Sequence, residues 1–186
     1  PRMPVVSPSV VPPPLESEFD EWLQSLFSDI MDEEQLMEFT YGTRFHSATR
    51  TKQVYVDGSC IGQGTNHAAA GAGIYWGPGH PANKGVRVPG EQTNNRAELY
   101  AILVALSSSG TDVPLAIWTD SLYAIDTIVH QGPHLAQTGW KCANGDVLRA
   151  IQYRIRLRPA AVQFHHVRGH SNNLSNDAAD SLAKEG

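Results

Sequence analysis

No stretch of this 186-residue sequence approaches the roughly 20 consecutive apolar residues that a membrane-crossing helix needs, so no membrane association is expected. Cysteine is nearly missing. Cys60 and Cys142 stand far apart, with no zinc-like spacing to each other or to a nearby histidine pair. That rules out a disulfide framework and points to two reduced thiols in an intracellular protein. The first residues lack the basic-then-apolar layout of a secretory signal, and their acidity argues against a transit peptide. Nucleus, cytoplasm and organelle interior are equally compatible with this. A basic excess is missing too, since 14 Lys and Arg face 19 Asp and Glu. Any contact with nucleic acid must therefore rest on local placement of charge.

The acidity is unevenly spread. Residues 1–50 hold nine acidic side chains and three basic ones; taking these from the totals of 19 and 14 leaves ten acidic and eleven basic in 51–186. Six prolines in residues 1–14, ending in Pro12-Pro13-Pro14, read as an extended lead-in, because proline fixes φ and donates no backbone hydrogen bond. From Ser17 onward Phe19, Trp22, Leu23, Leu26, Phe27 and Ile30 recur at helical spacing, with acids between them. This predicts an acidic amphipathic helix over 17–31, continuing to Phe39, and then a linker over 40–51. Its apolar stripe either docks on the neighbouring domain or serves as a groove-binding helix for a protein partner. The expected division is an extension over 1–50 and a monomeric folded domain over 51–186.

The second part reads as mixed α/β. Strands are predicted at Gln53–Asp57, Ala72–Tyr75, Gly85–Val88, Leu115–Thr119 and Val162–Val167, and helices over 95–107, 121–130, 145–156 and 173–184. Residues 131–138 are broken by Gly132 and Pro133 and are left irregular.

Four acids sit in distinctive local sequences within this pattern. Asp57 lies in Gln53-Val54-Tyr55-Val56-Asp57-Gly58-Ser59, and Glu98 lies in Thr93-Asn94-Asn95-Arg96-Ala97-Glu98-Leu99. Asp120 follows Ile117-Trp118-Thr119, and Asp180 ends Asn176-Asp177-Ala178-Ala179-Asp180. Desolvating several carboxylates together is costly unless a cation neutralises them. Brought together by the fold, these four would form a cage of hard oxygen ligands suited to Mg²⁺.

Seven motifs in order give the chain a resemblance to the type 1 ribonuclease H family, most closely its eukaryotic form, over about residues 52–186. They are Asp57-Gly58-Ser59-Cys60, Tyr75-Trp76-Gly77-Pro78-Gly79-His80-Pro81, Gln92-Thr93-Asn94-Asn95-Arg96-Ala97-Glu98, Thr119-Asp120-Ser121, Gly139-Trp140-Lys141, Gly169-His170-Ser171 and Asn176-Asp177-Ala178-Ala179-Asp180. The resemblance implies a ribonuclease H-like fold, a five-stranded mixed sheet flanked by helices. It also implies hydrolysis of the RNA strand of RNA–DNA hybrids with two Mg²⁺ ions (Mn²⁺ as a substitute), leaving 3′-hydroxyl and 5′-phosphate ends. The matching catalytic positions are Asp57, Glu98, Asp120, His170 and Asp180, the four acids being the metal ligands. Asp177 shares the helix face of Asp180; the offset from His170 and the Asp-x-Leu-Ala continuation select Asp180. Asn94 and Asn95 match residues that reach minor-groove edges, Arg168 one beside the RNA backbone, and Thr93 and Asn144 a DNA-strand phosphate pocket. Singly, each acid has a structural reading as a turn carboxylate or solvated helix acid, and His170 as a loop histidine. As an ordered set they favour catalysis.

The chain departs from the family twice. Glu91 stands where eukaryotic members carry an arginine two residues before the phosphate-pocket threonine. Residues 131–138 also lack the Trp and Lys of the helix and loop that cradle the DNA strand. Both predict a weak grip on the hybrid. The alternative reading is a weakly active or non-catalytic nucleic-acid-binding or assembly domain of a larger protein, including one from a retroelement.

Overall fold

A computed structural model of the chain describes residues 31–43, 50–169 and 173–186. In chain order the elements are α1 (Glu33–Tyr41), β1 (Lys52–Ile61), β2 (Ala69–Tyr75), β3 (Lys84–Arg87), α2 (Asn94–Ser108), β4 (Leu115–Thr119), α3 (Leu122–Ile125), α4 (Gly132–Gln137), α5 (Gly145–Arg156), β5 (Val162–His166) and α6 (Leu174–Glu185). The strands form one sheet in the order β3-β2-β1-β4-β5. β1 and β2 pair antiparallel, as do β2 and β3, whereas β4 runs parallel to β1 and to β5. This is the mixed five-stranded sheet expected from the sequence.

Alternation along β1 explains how the sheet is used. Val54 and Val56 are fully buried beside Leu99 and Ile102 of α2, Ile117 of β4, and Leu148 and Ile151 of α5, in one core. Asp57, one residue out of phase, belongs to the opposite face, where α6 packs on β1 and β2. Two glycines set how closely the helices approach. A Cβ at Gly58 would lie 2.3 Å from the backbone nitrogen of Glu98, and one at Gly73 would lie 2.0 Å from the carbonyl oxygen of Ala179. Bare backbone at these points lets α2 and α6 press onto β1 and β2. The acids they carry then arrive next to Asp57.

Three expectations change. The segment 31–41 is not a continuation of an upstream helix. Asp32 starts a new one, its carboxylate accepting from Gln35 N (2.8 Å) while Asp32 N donates to Gln35 Oε1 (3.2 Å), a reciprocal capping box. Thr40 and Tyr41, expected in the linker, are its buried last residues. The rest of the expected helix, residues 17–30, lies outside the described residues. Residues 132–137, read as irregular, form α4; Pro133 sits in its first turn, where no backbone donor is required. Finally, the helix expected over 121–130 changes character midway. After α3 it continues as a π-helical turn over Asp126–His130.

Candidate active site

Each of the four acids leaves a different element at one end of the sheet. Asp57 comes from β1, Glu98 from the second turn of α2, Asp120 from the residue after β4, and Asp180 from α6. They line a single pocket of about 310 Å³ together with Asn94, Asn176 and Lys184. One carboxylate oxygen each from Asp57, Glu98 and Asp120 lie within 4.8 Å of one another. Asp180 approaches Asp57 closely enough for a side-chain hydrogen bond and carries an ion pair to Lys184 (2.6 Å) one turn further along α6. Asn176, another turn back on the same helix, donates from Nδ2 to Asp120 Oδ2 at 3.3 Å.

Electrostatics set this pocket apart from an ordinary acidic surface. Glu98 is 5% exposed, and its Oε2 is buried with no hydrogen-bond partner. Burial above all, then the charges of Asp57 and Asp120, pushes its carboxyl up to about 9. Burial, followed by Asp120 and Asp180, pushes Asp57 up to about 7, the Gly58 amide partly opposing this. A buried, unpartnered oxygen among like charges is what a divalent cation would relieve. The donor set, all carboxylate oxygen with no thiolate or imidazole among the described residues, fits a hard ion such as Mg²⁺.

A second, larger cleft of about 730 Å³ opens between the start of α2 and the loop before α5, lined among others by Glu91, Arg96, Trp140, Lys141 and Asn144. Its wall is an ion pair made across fifty residues. Arg96 Nη1 and Nη2 donate to the two carboxylate oxygens of Asp146 at 2.9 and 2.6 Å, and Arg96 Nε donates to Pro89 O at 2.7 Å. The paired guanidinium holds the Asp146 carboxyl below its ordinary range. Asn144, in left-handed conformation, lies 3.5 Å from Arg96 Nη1 and donates to the Tyr123 hydroxyl at 3.3 Å.

The residues expected from the sequence therefore fall into two neighbouring sites. Asp57, Glu98, Asp120, Asp180 and Asn94 share the acidic pocket. Asn144 lines the cleft, and Thr93 caps the helix that delivers Arg96 to it, its hydroxyl accepting from Arg96 N at 3.2 Å. Asn95 and Arg168 are exposed, and His170 lies outside the described residues. Sequence reasoning missed Lys184, Asn176 and the Arg96–Asp146 pair. Lys184 and Asn176 were findable, since each is four residues from Asp180 and hence on its helix face. Nothing local marks Asp146 as the partner of Arg96.

Comparison with known proteins follows the same boundaries. The RNase H family model matches residues 49–186. Ribonuclease H1 of Homo sapiens is 39% identical over 139 residues, covering 72% of this chain and 49% of that protein. Ribonuclease H of Alcanivorax borkumensis is 35% identical over 138 residues, 72% of this chain and 89% of the relative. The crystal structure of LC9-RNase H1, a type 1 RNase H with the type 2 active-site motif, aligns with a TM-score of 0.51 at 28% identity, over 75% of this chain and 74% of that one. The chain belongs to the RNase H family, in its type 1 form. It spans about half the length of the mammalian relatives it matches.

Proposed function

We propose that residues 51–186 act as an endoribonuclease that hydrolyses the RNA strand of RNA–DNA hybrids, leaving 3′-hydroxyl and 5′-phosphate ends. The observation that carries this reading is the convergence of Asp57, Glu98, Asp120 and Asp180 on one pocket, with a buried Glu98 oxygen lacking a partner. Divalent magnesium bound there, two ions with manganese as a substitute, supplies Lewis acidity toward water and phosphate oxygen. The four carboxylates hold it, and Asn176 and Lys184 fix the orientation of Asp120 and Asp180 before the substrate arrives. Asn94 and Asn95, at the start of α2, read the minor groove, where the 2′-hydroxyl distinguishes RNA. Arg168 lies along the RNA backbone. Asn144 and Thr93 take a phosphate of the DNA strand near the second cleft, and His170 assists the attacking water or product departure.

The test is cleavage of a labelled hybrid in Mg²⁺, in EDTA, and by Asp120→Asn. Cleavage confined to the RNA strand, abolished by EDTA and reduced at least about a hundredfold in the variant, is the expected result. Hybrid binding without turnover in Mg²⁺ would instead establish a non-catalytic binding domain.

A further inference from the structure

Among the described residues, Trp140 at φ 61° and Asn144 at φ 60° are the two non-glycine residues with left-handed backbone. That conformation is costly for a side chain as large as indole, and it persists only where the surroundings over-determine it. Both residues belong to the loop that walls the 730 Å³ cleft. What holds Trp140 is not the loop alone. Its indole is buried, and Nε1 donates to Gln152 Oε1 at 2.8 Å. The other end of that amide, Gln152 Nε2, donates to Thr40 O in α1 at 2.9 Å. An indole N–H can only donate and a backbone carbonyl can only accept, so the orientation of the Gln152 amide is fixed.

The end of α1 is tied down at two further points. Arg156 Nη1 donates to Phe39 O (2.6 Å) and Thr40 O (3.1 Å), satisfying carbonyls that a helix C-terminus leaves without intrahelical partners. Tyr41 enters the core, and its hydroxyl donates to Ile128 O at 2.6 Å. All of α1 precedes the family-matched region, which begins at residue 49. The geometry points to α1 as a working part of the substrate cleft: docked by Tyr41, it positions Trp140 through Gln152 and so holds the loop that carries Asn144. Gln152 and Tyr41 are positioning residues that touch no substrate. The assignment rests on the cleft taking a phosphate of the hybrid.

Three full-chain variants test it. Gln152→Leu removes both bonds, Gln152→Glu keeps an acceptor for Trp140 but loses the donor to Thr40, and Tyr41→Phe loosens α1 without touching Gln152. The first readout is the Trp140 indole N–H resonance and its hydrogen exchange, assigned with Trp140→Phe. The second is hybrid affinity in EDTA, where no turnover occurs, followed by KM and kcat. Loss of one or two hydrogen bonds predicts faster indole exchange and a rise of about fivefold in Kd and KM for Gln152→Leu, with kcat changed less than about twofold. Tyr41→Phe and Gln152→Glu shift in the same direction by less. An unmoved Trp140 indole in Tyr41→Phe and Gln152→Glu would overturn the coupling, as would indole changes with unaltered hybrid affinity overturn its role in binding. If the wild type fails to cleave hybrids, the nuclease reading falls, yet the indole measurements still decide whether α1 governs the loop. Should Gln152→Leu fail to fold, the other two variants carry the decision.

Discussion

Replacing Glu98 with glutamine should make the metal-free protein more stable, although it removes a residue proposed as essential. Glu98 is 5% exposed and its carboxyl is raised from 4.5 to about 9 by burial and by neighbouring carboxylates. A carboxyl raised in the folded state favours folding fully below its unfolded value, and that contribution is lost as pH rises toward the folded one. At about 1.4 kcal/mol per pH unit, three units between 4.5 and pH 7.5 give a ceiling on the order of 4 kcal/mol. Local water and relaxation lower this, so a gain of about 2–4 kcal/mol is expected for the neutral isostere. For a domain of this size that is roughly 5–15 °C in Tm. The assay is thermal unfolding of wild type and Glu98→Gln in EDTA at pH 4.5, 6.0, 7.5 and 8.5, repeated in Mg²⁺. The variant should melt higher at neutral and alkaline pH, the gap closing at pH 4.5. Mg²⁺ should raise the wild type more, since ion binding stabilises by mass action only where the site is intact. A variant no more stable than wild type at pH 7.5 in EDTA, or a difference indifferent to pH, refutes the reasoning.

Two other substitutions probe different links. Glu91 lines the cleft proposed for the DNA-strand phosphate, so Glu91→Arg should tighten hybrid binding about three- to tenfold near 0.1 M salt and steepen its salt dependence by about one ion; a filter-binding titration over a salt series checks this, and an unchanged slope counts against that cleft. Gly73→Ala would set a methyl 2.0 Å from Ala179 O, forcing α6 off the sheet. The overpacking should cost about 1–3 kcal/mol, and cleavage should fall more than the melt alone explains, because Asp180 rides on that helix; calorimetry and a hybrid-cleavage assay separate the two effects.

Much of this arrangement could be read in the residues, and the reasons are physical. The strands announce themselves by runs such as Val54-Tyr55-Val56, and each acid stands beside a small residue in a distinctive local sequence, as in Asp57-Gly58 and Thr119-Asp120-Ser121. Choosing Asp180 over Asp177 needed the resemblance. In the structure Asp180 engages Lys184 and Asp57, whereas Asp177 is exposed at the pocket edge. What escaped reading depends on distant partners. Tyr41 looked like linker because its burial is decided by Ile128, 87 residues away, and Arg96 meets Asp146 across 50 residues. Gly132-Pro133 looked like a breaker because a proline in a first turn and one in a loop are locally alike. The left-handed backbone of Trp140 had no local signal; its indole bonds Gln152, twelve residues on, and Gln152 in turn bonds Thr40 of α1.

The most direct check is anomalous diffraction from crystals of the chain soaked in Mn²⁺ at pH 7.5. Ions bridging the carboxylates of Asp57, Glu98 and Asp120, with Asp180 completing the set, and lost in Asp120→Asn, are the expected outcome. A pocket that stays empty of manganese while its four acids keep the same positions would contradict the metal-dependent reading at its root.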